Sequence, residues 1–209
     1  MERVNELGGR TAAARMCAVF RVVVLVAASL FAMPARAADL YDGRLTFGVF
    51  GGQLTTNGID DVPFPGRLDF ANSHFAGVML GYEIPIWNER WQIGVEVQLS
   101  HHFGMDTYQE FVVMPATIRY SPARPWLPVI DSFAFGIGLS HTTETPLVEV
   151  VRRGDSQRTL VYFTLETAFA LDNGRDTLFV RLHHRSDAYG LFERDAGSNG
   201  FALGLRRAF

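Results

Sequence analysis

Beyond its first few dozen residues the chain is a succession of short stretches in which apolar and polar side chains alternate, with turn-rich segments between them. The clearest is 91–100, where Trp91, Ile93, Val95, Val97 and Leu99 alternate with Gln92, Gly94, Glu96, Gln98 and Ser100. Side chains of a β-strand point to opposite faces with period two, so this stretch predicts a strand with one apolar face and one polar or small face. In 44–50, Leu45, Phe47 and Val49 oppose Thr46, Gly48 and Phe50; in 74–84, Val78, Leu80, Tyr82 and Ile84 oppose Gly77 and Gly81 before Pro85 breaks the run. Ser132, Ala134, Gly136, Gly138 and Ser140 lie opposite Phe133, Phe135, Ile137 and Leu139. Further strands are expected at 110–120, 157–170, 176–186 and 199–209.

These stretches predict an all-β fold, an eight-stranded antiparallel up-and-down transmembrane β-barrel. In a soluble sandwich the polar faces would meet water, whereas in a membrane barrel they line the lumen and the apolar faces meet lipid. Three features favour the barrel. The strands run to about ten residues, the span of a tilted membrane strand. Small residues recur on the inward faces, as a narrow interior requires. The chain closes on the alternation Phe201, Leu203, Leu205, Arg207, Phe209, with a terminal aromatic. An even strand number puts the connections 85–90, 121–130 and 171–175 on the periplasmic side, where Trp87, Trp91 and Trp126 would form a girdle. The connections 51–73, 101–109, 141–156 and 187–198 are then extracellular.

The N-terminal segment changes this picture only by being removed. Arg3, Arg10, Arg15 and Arg21 precede the apolar run 22–33, and Ala35-Arg36-Ala37 has the small-x-small form of a secretory cleavage site. Residues 1–37 are expected to be a cleaved signal peptide and 38–209 the barrel. The only cysteine, Cys17, leaves with the signal, so the mature protein has no disulfide, thiol nucleophile or thiolate metal site. Of 19 basic and 22 acidic residues, the signal takes five arginines and two glutamates, leaving 14 against 20. No basic tract remains to suggest nucleic acid.

Candidate chemistry collects near the end of the chain. In 176–186, Leu178, Val180, Leu182, His184 and Ser186 share one face, while Phe179, Arg181, His183 and Arg185 share the other. A base and a hydroxyl two residues apart on an otherwise aliphatic face are unusual for stability alone. Returning on the next strand, Asn199 would reach them if the hairpin folds about its middle. Glu83, Glu96 and Glu166 are expected to form an interior polar network, and His183 to join it through Glu96, Glu110 or Glu166. His101-His102 lies at a strand end without placed carboxylate partners, so no metal site is expected, and no cofactor.

The run His184-Arg185-Ser186-Asp187-Ala188-x-Gly190, with Gly197-Ser198-Asn199 and the ending Leu203-Gly204-Leu205-Arg206-x-x-Phe209, resembles the closing motif of the lipid A 3-O-deacylase (PagL) family. The resemblance covers the last strand pair. It implies an eight-stranded outer-membrane barrel that hydrolyses an ester-linked acyl chain of lipid A, with lipopolysaccharide of the outer leaflet as its partner. It also implies Ser186 as nucleophile and His184 as general base. Asp187 stands where the family has Asn, and the family's acidic residue has no matching position. Asn199 is therefore the expected third member, with Glu193 in reserve. Backbone N–H groups from Asp187 to Gly190 are expected to hold the oxyanion, and Arg185 to meet lipid phosphates; Arg152 and Arg153 could join it, but solvated loop charge is the better account of those two. Two other readings stay open: a non-catalytic structural or adhesion barrel, and a soluble lipocalin-like barrel that binds lipid inside.

Overall fold

The computed structural model describes residues 43–125, 127–171, 175–188, 192 and 196–209. The expected signal peptide, Trp126, Gly190 and Glu193 lie outside the described residues. Eight strands alternate up and down: β1 Arg44–Thr55, β2 Phe70–Ile86, β3 Trp91–Gly104, β4 Tyr108–Tyr120, β5 Ile130–Thr142, β6 Thr159–Ala170, β7 Asp176–Ser186 and β8 Gly197–Ala208. Each pairs with its sequence neighbour, and β8 returns to β1 from Thr46↔Ala208 to Thr55↔Asn199, closing the barrel. Closure gives every strand a neighbour on both sides, which is the condition for a sheet to stand in hydrocarbon.

The two faces separate as the alternation requires. Leu80, Val95, Val97, Leu99, Phe111, Val113, Ile137, Leu139, Leu165, Val180, Leu203 and Leu205 point outward and are exposed, Leu203 to 55%. A soluble monomer rarely presents so continuous an apolar surface, whereas a bilayer-embedded barrel must. Trp91 packs on Tyr120, ring centroids 4.6 Å apart, at the end with short connections.

Several strands run further than the sequence alone suggests. Pro85 stays in the ladder opposite Gln92, two residues past the Arg44↔Glu83 pair at which β1 begins among the described residues. A residue with no N–H to donate is tolerated there. β1 continues through Gly52, where a Cβ would fall 2.4 Å from the Phe75 ring; the bulky neighbour fills what the glycine leaves. β3 carries His101 and His102 within the strand, so His102 points into the lumen and not off a strand end. In β4 the pairing slips between Val113 and Ala116. Such a bulge reverses the parity, so Met114 and Arg119 both face inward.

The interior is filled in layers. Phe50, Leu54, Phe75, Met79, Phe179 and Ala202 form an apolar plug. Toward the short-connection end, Arg181 donates to Glu96 (2.6 and 3.1 Å) and to Glu166 (2.9 and 2.6 Å), Arg119 joins Glu83 to Glu166, and Arg206 also reaches Glu166. Toward the other end, Glu110 accepts from His102 (2.8 Å) and Ser140 (2.5 Å), with His183 at 3.5 Å. The plug and the two charged layers occupy the interior in which a lipocalin-like barrel would hold its lipid. The 141–156 connection contains a helix, α1 Leu147–Arg153, that the alternation did not foretell. Its Val-rich composition reads as strand; it ends on Gly154 at φ 84°, whose N–H caps the Val150 carbonyl.

Charges held this way are costly to strand singly. Replacing Arg181 with Met should leave Glu96 and Glu166 short of a cation and cost about 3–5 kcal/mol. Urea titration of the folded, heat-modifiable band in detergent checks this; an unchanged midpoint would mean that the network does not hold the barrel.

Candidate active site

His184 and Ser186 lie at the end of β7 that meets the long connections, on the outward face shared with Val180. Alternate residues of a strand stand about 6.5–7 Å apart along it, so the two side chains are neighbours on the same surface. In β8, Asn199 is directly opposite His184 and Gly197 directly opposite Ser186. Asn199, Phe201, Leu203 and Leu205 therefore continue the same outward face.

A chain of hydrogen bonds fixes the imidazole. Asn199 Nδ2 donates to the Asn57 carbonyl oxygen at 2.8 Å. The amide thereby turns its Oδ1 toward His184, whose Nδ1–H donates to it at 2.5 Å. The proton belongs on Nδ1 in this arrangement, and Nε2 is left as the basic nitrogen. Asn57 is itself held in the β1–β2 connection, donating through Nδ2 to the Arg67 carbonyl (2.9 Å) and accepting from the Asp69 N–H (2.6 Å). The Phe163 ring lies 4.2 Å from the imidazole, centroid to centroid. Asn199 is fully buried and His184 is 8% exposed. Asn57 and Phe163 were not expected at the site. Phe163 was reachable by matching the parity of β6 to β7, while nothing local to Asn57-Gly58 signals a contact with Asn199.

Ser186 ends the strand. Its hydroxyl donates toward Asp187 Oδ1 at 3.4 Å and accepts the Ala188 N–H at 3.1 Å. Ala188 has φ 54°, a left-handed conformation that a residue with a Cβ adopts at a cost. The Ser186 hydroxyl thus closes a tight turn and is not hydrogen-bonded to His184. The Asp187 N–H donates to the Ala196 carbonyl, so of the expected oxyanion donors the described ones are already engaged.

Arg185 does not stand where a substrate contact would. It is 1% exposed and points into the barrel, its guanidinium 3.3 Å from Glu149 and 3.8 Å from Glu110, and it donates to the Gln157 and Arg158 carbonyls. The reason is α1, which closes over the barrel mouth and brings Glu149 inside. Arg152 and Arg153, on the last turn of that helix, lie within electrostatic reach of His184, and Arg152 donates to the Gly197 carbonyl at 3.3 Å. Among the described residues no cluster of His, Cys, Asp and Glu is arranged to hold a metal ion.

Neither a protein-family model nor a curated protein matches the chain. Solved structures do. The outer-membrane enzyme PagL superposes with a TM-score of 0.53 at 15% identity, over 78% of this chain and 98% of that one. Neisserial surface protein A gives 0.47 at 11%, over 80% and 97%. Ail, the attachment invasion locus protein of Yersinia pestis, gives 0.42 at 13%, over 80% and 97%. The fold is that of the bacterial outer-membrane barrels. At these identities the likeness concerns the backbone and carries no residue roles.

The imidazole arrangement has a direct check. In protein labelled with ¹⁵N-histidine, His184 should show a single neutral tautomer protonated at Nδ1, and Asn199→Leu should convert it to a mixture. A mixture in the unsubstituted protein would contradict the geometry.

Proposed function

We propose that this protein is an outer-membrane esterase that removes an ester-linked acyl chain from lipid A. It would be exported by a cleaved signal peptide spanning residues 1–37. The observation that carries this reading is the hydrogen-bonded series Asn57–Asn199–His184, which leaves Nε2 as the proton-accepting nitrogen of an imidazole on the same outward face as Ser186. Interfacial histidines and rim serines are ordinary on barrels. Here the amide does more than give the imidazole a partner, because its bond to the Asn57 carbonyl fixes which of its ends faces His184 and so the tautomer.

In this reading a glycolipid of the outer leaflet slides laterally against the outward surface of β6–β8, its acyl chain against Phe163, Leu182 and Phe201. A rotation of the Ser186 side chain exchanges its bond to Asp187 for one to His184 Nε2. His184 takes the hydroxyl proton as Ser186 Oγ bonds to the ester carbon. The carbonyl becomes an oxyanion, met by the Ala188 N–H that the rotation of Ser186 has freed. Collapse expels the sugar oxygen, which leaves with the proton from His184, and an acyl-enzyme remains. Water, deprotonated by His184, then releases the fatty acid and restores Ser186. Asn199 holds the imidazole throughout, as an amide does in Cys-His-Asn proteases. It stabilises the imidazolium less than a carboxylate would, so a modest turnover is expected.

A second reading is a barrel of the same shape without catalysis, engaging partners through its long loops. The bond from Ser186 to Asp187, in place of one to His184, favours it.

Mass spectrometry of lipid A from cells expressing the protein separates the two. The native barrel should remove one acyl chain, while Ser186→Ala and His184→Ala, still inserted in the outer membrane, should lower that conversion by roughly 10⁴-fold or more. Asn199→Leu should lower it on the order of 10²-fold. Unchanged lipid A with the native protein would favour the second reading.

A further inference from the structure

Glu149 belongs to a connection, not to a barrel strand, yet it is completely buried. Its neighbour Val148 joins the apolar plug with Phe75 and Phe179, so α1 is seated in the barrel mouth by one apolar and one acidic side chain. The carboxylate accepts from Ser198 Oγ at 2.8 Å and from Ser156 Oγ at 2.5 Å, and lies 3.3 Å from Arg185 Nη1.

The register gives these partners their meaning. Arg185 and Ser198 are directly opposite each other on β7 and β8, and both face inward. The pairs on either side, His184 with Asn199 and Ser186 with Gly197, face outward and make up the candidate site. Glu149 therefore grips, from inside the barrel, the one cross-strand pair that lies between the two pairs carrying the chemistry. A slip or fraying of that pair would separate Asn199 from His184 and shift Ser186, because backbone position on one face sets side-chain position on the other. Arg152 of the same helix donates to the carbonyl of Gly197, so α1 holds the hairpin at two adjacent rungs.

Stability alone does not require this arrangement. Taking a carboxylate out of water is expensive, and a well-packed apolar side chain in its place is often neutral or stabilising. What the carboxylate adds is a fixed position for both of its strand partners.

We infer that Glu149 is a positioning residue, which holds the outer end of the β7–β8 hairpin in register so that His184, Asn199 and Ser186 stay aligned. The inference builds on the esterase reading but is testable without it. The experiment is hydrogen exchange followed by mass spectrometry on the full barrel in detergent micelles, with heat-modifiable mobility confirming the fold of each variant. In Glu149→Gln, amides 184–187 and 197–199 should exchange at least about tenfold faster, while 176–180 and the β2–β3 pair stay unchanged. Ser198→Ala, which removes one bond and strands no charge, should show the same local change at smaller amplitude, and it decides the matter if Glu149→Gln does not fold. Glu144→Gln, on the exposed part of the same connection, should show none. Acyl release from lipid A should fall about tenfold or more in kcat for Glu149→Gln, with KM kept within about twofold.

Unchanged exchange at the outer end, or faster exchange spread evenly over all strands, would overturn the inference. A native protein without esterase activity whose Glu149→Gln variant still loosens 184–187 would sink the functional reading and leave the positioning role standing. An active native protein whose Glu149→Gln variant keeps both its exchange and its kcat would do the reverse.

Discussion

The ladder between β1 and β8 does more than close the barrel, because it ends at the candidate site. In hydrocarbon an unpaired backbone N–H or carbonyl has no water to turn to, so the first and last strands must find each other along their whole length. Their pairing runs to Thr55 opposite Asn199, and the Thr55 hydroxyl donates to the Asn199 carbonyl at 3.4 Å. Asn199 thus stands between β1 and β7, with both neighbours fixed. From there one side chain reaches both the chain leaving β1, at Asn57, and the imidazole on β7.

Closure also divides the residues into two populations with opposite requirements. Outward positions tolerate apolar side chains almost without limit, and a polar side chain among them needs a partner of its own. His184 and Asn199 supply each other. Inward positions must fill a narrow space, and here glycine, serine and charged networks fill it together. Arg181 sits between Glu96 and Glu166 in one layer, and Arg185 near Glu110 and Glu149 in another. Charges of both signs at hydrogen-bonding distance let the lumen be polar without being open.

Much of this was legible in the chain because period two is a strong constraint. The small-residue face of 132–140 and the polar face of 92–100 both turn inward, and the pairing of His184 with Asn199 follows once the hairpin is folded about its middle. What escaped was set by neighbours distant in sequence. Pro85 reads as a strand breaker but stays paired with Gln92 near the end of β2, past the Arg44↔Glu83 pair. The Val-rich segment Leu147–Arg153 is helical because tertiary packing of Val148 and Glu149 outweighs its local preference. Arg185 reads as a rim cation until α1 supplies Glu149 and draws it into the lumen. Asn57 lies in a loop whose destination no local pattern encodes. Candidate members Glu193 and Gly190 lie outside the described residues, so their part in the site rests on the sequence alone.

The central claim is that Asn57 and Asn199 prepare His184 to activate Ser186 at the lipid surface. Its most direct test is labelling of the intact barrel with a long-chain fluorophosphonate, which reacts only with an activated serine, followed by identification of the modified peptide. The account predicts one adduct, on Ser186, strongly diminished in His184→Ala and Asn199→Leu barrels of unchanged heat-modifiable mobility. An unlabelled protein, or equal labelling of Ser186 in both variants, would contradict it.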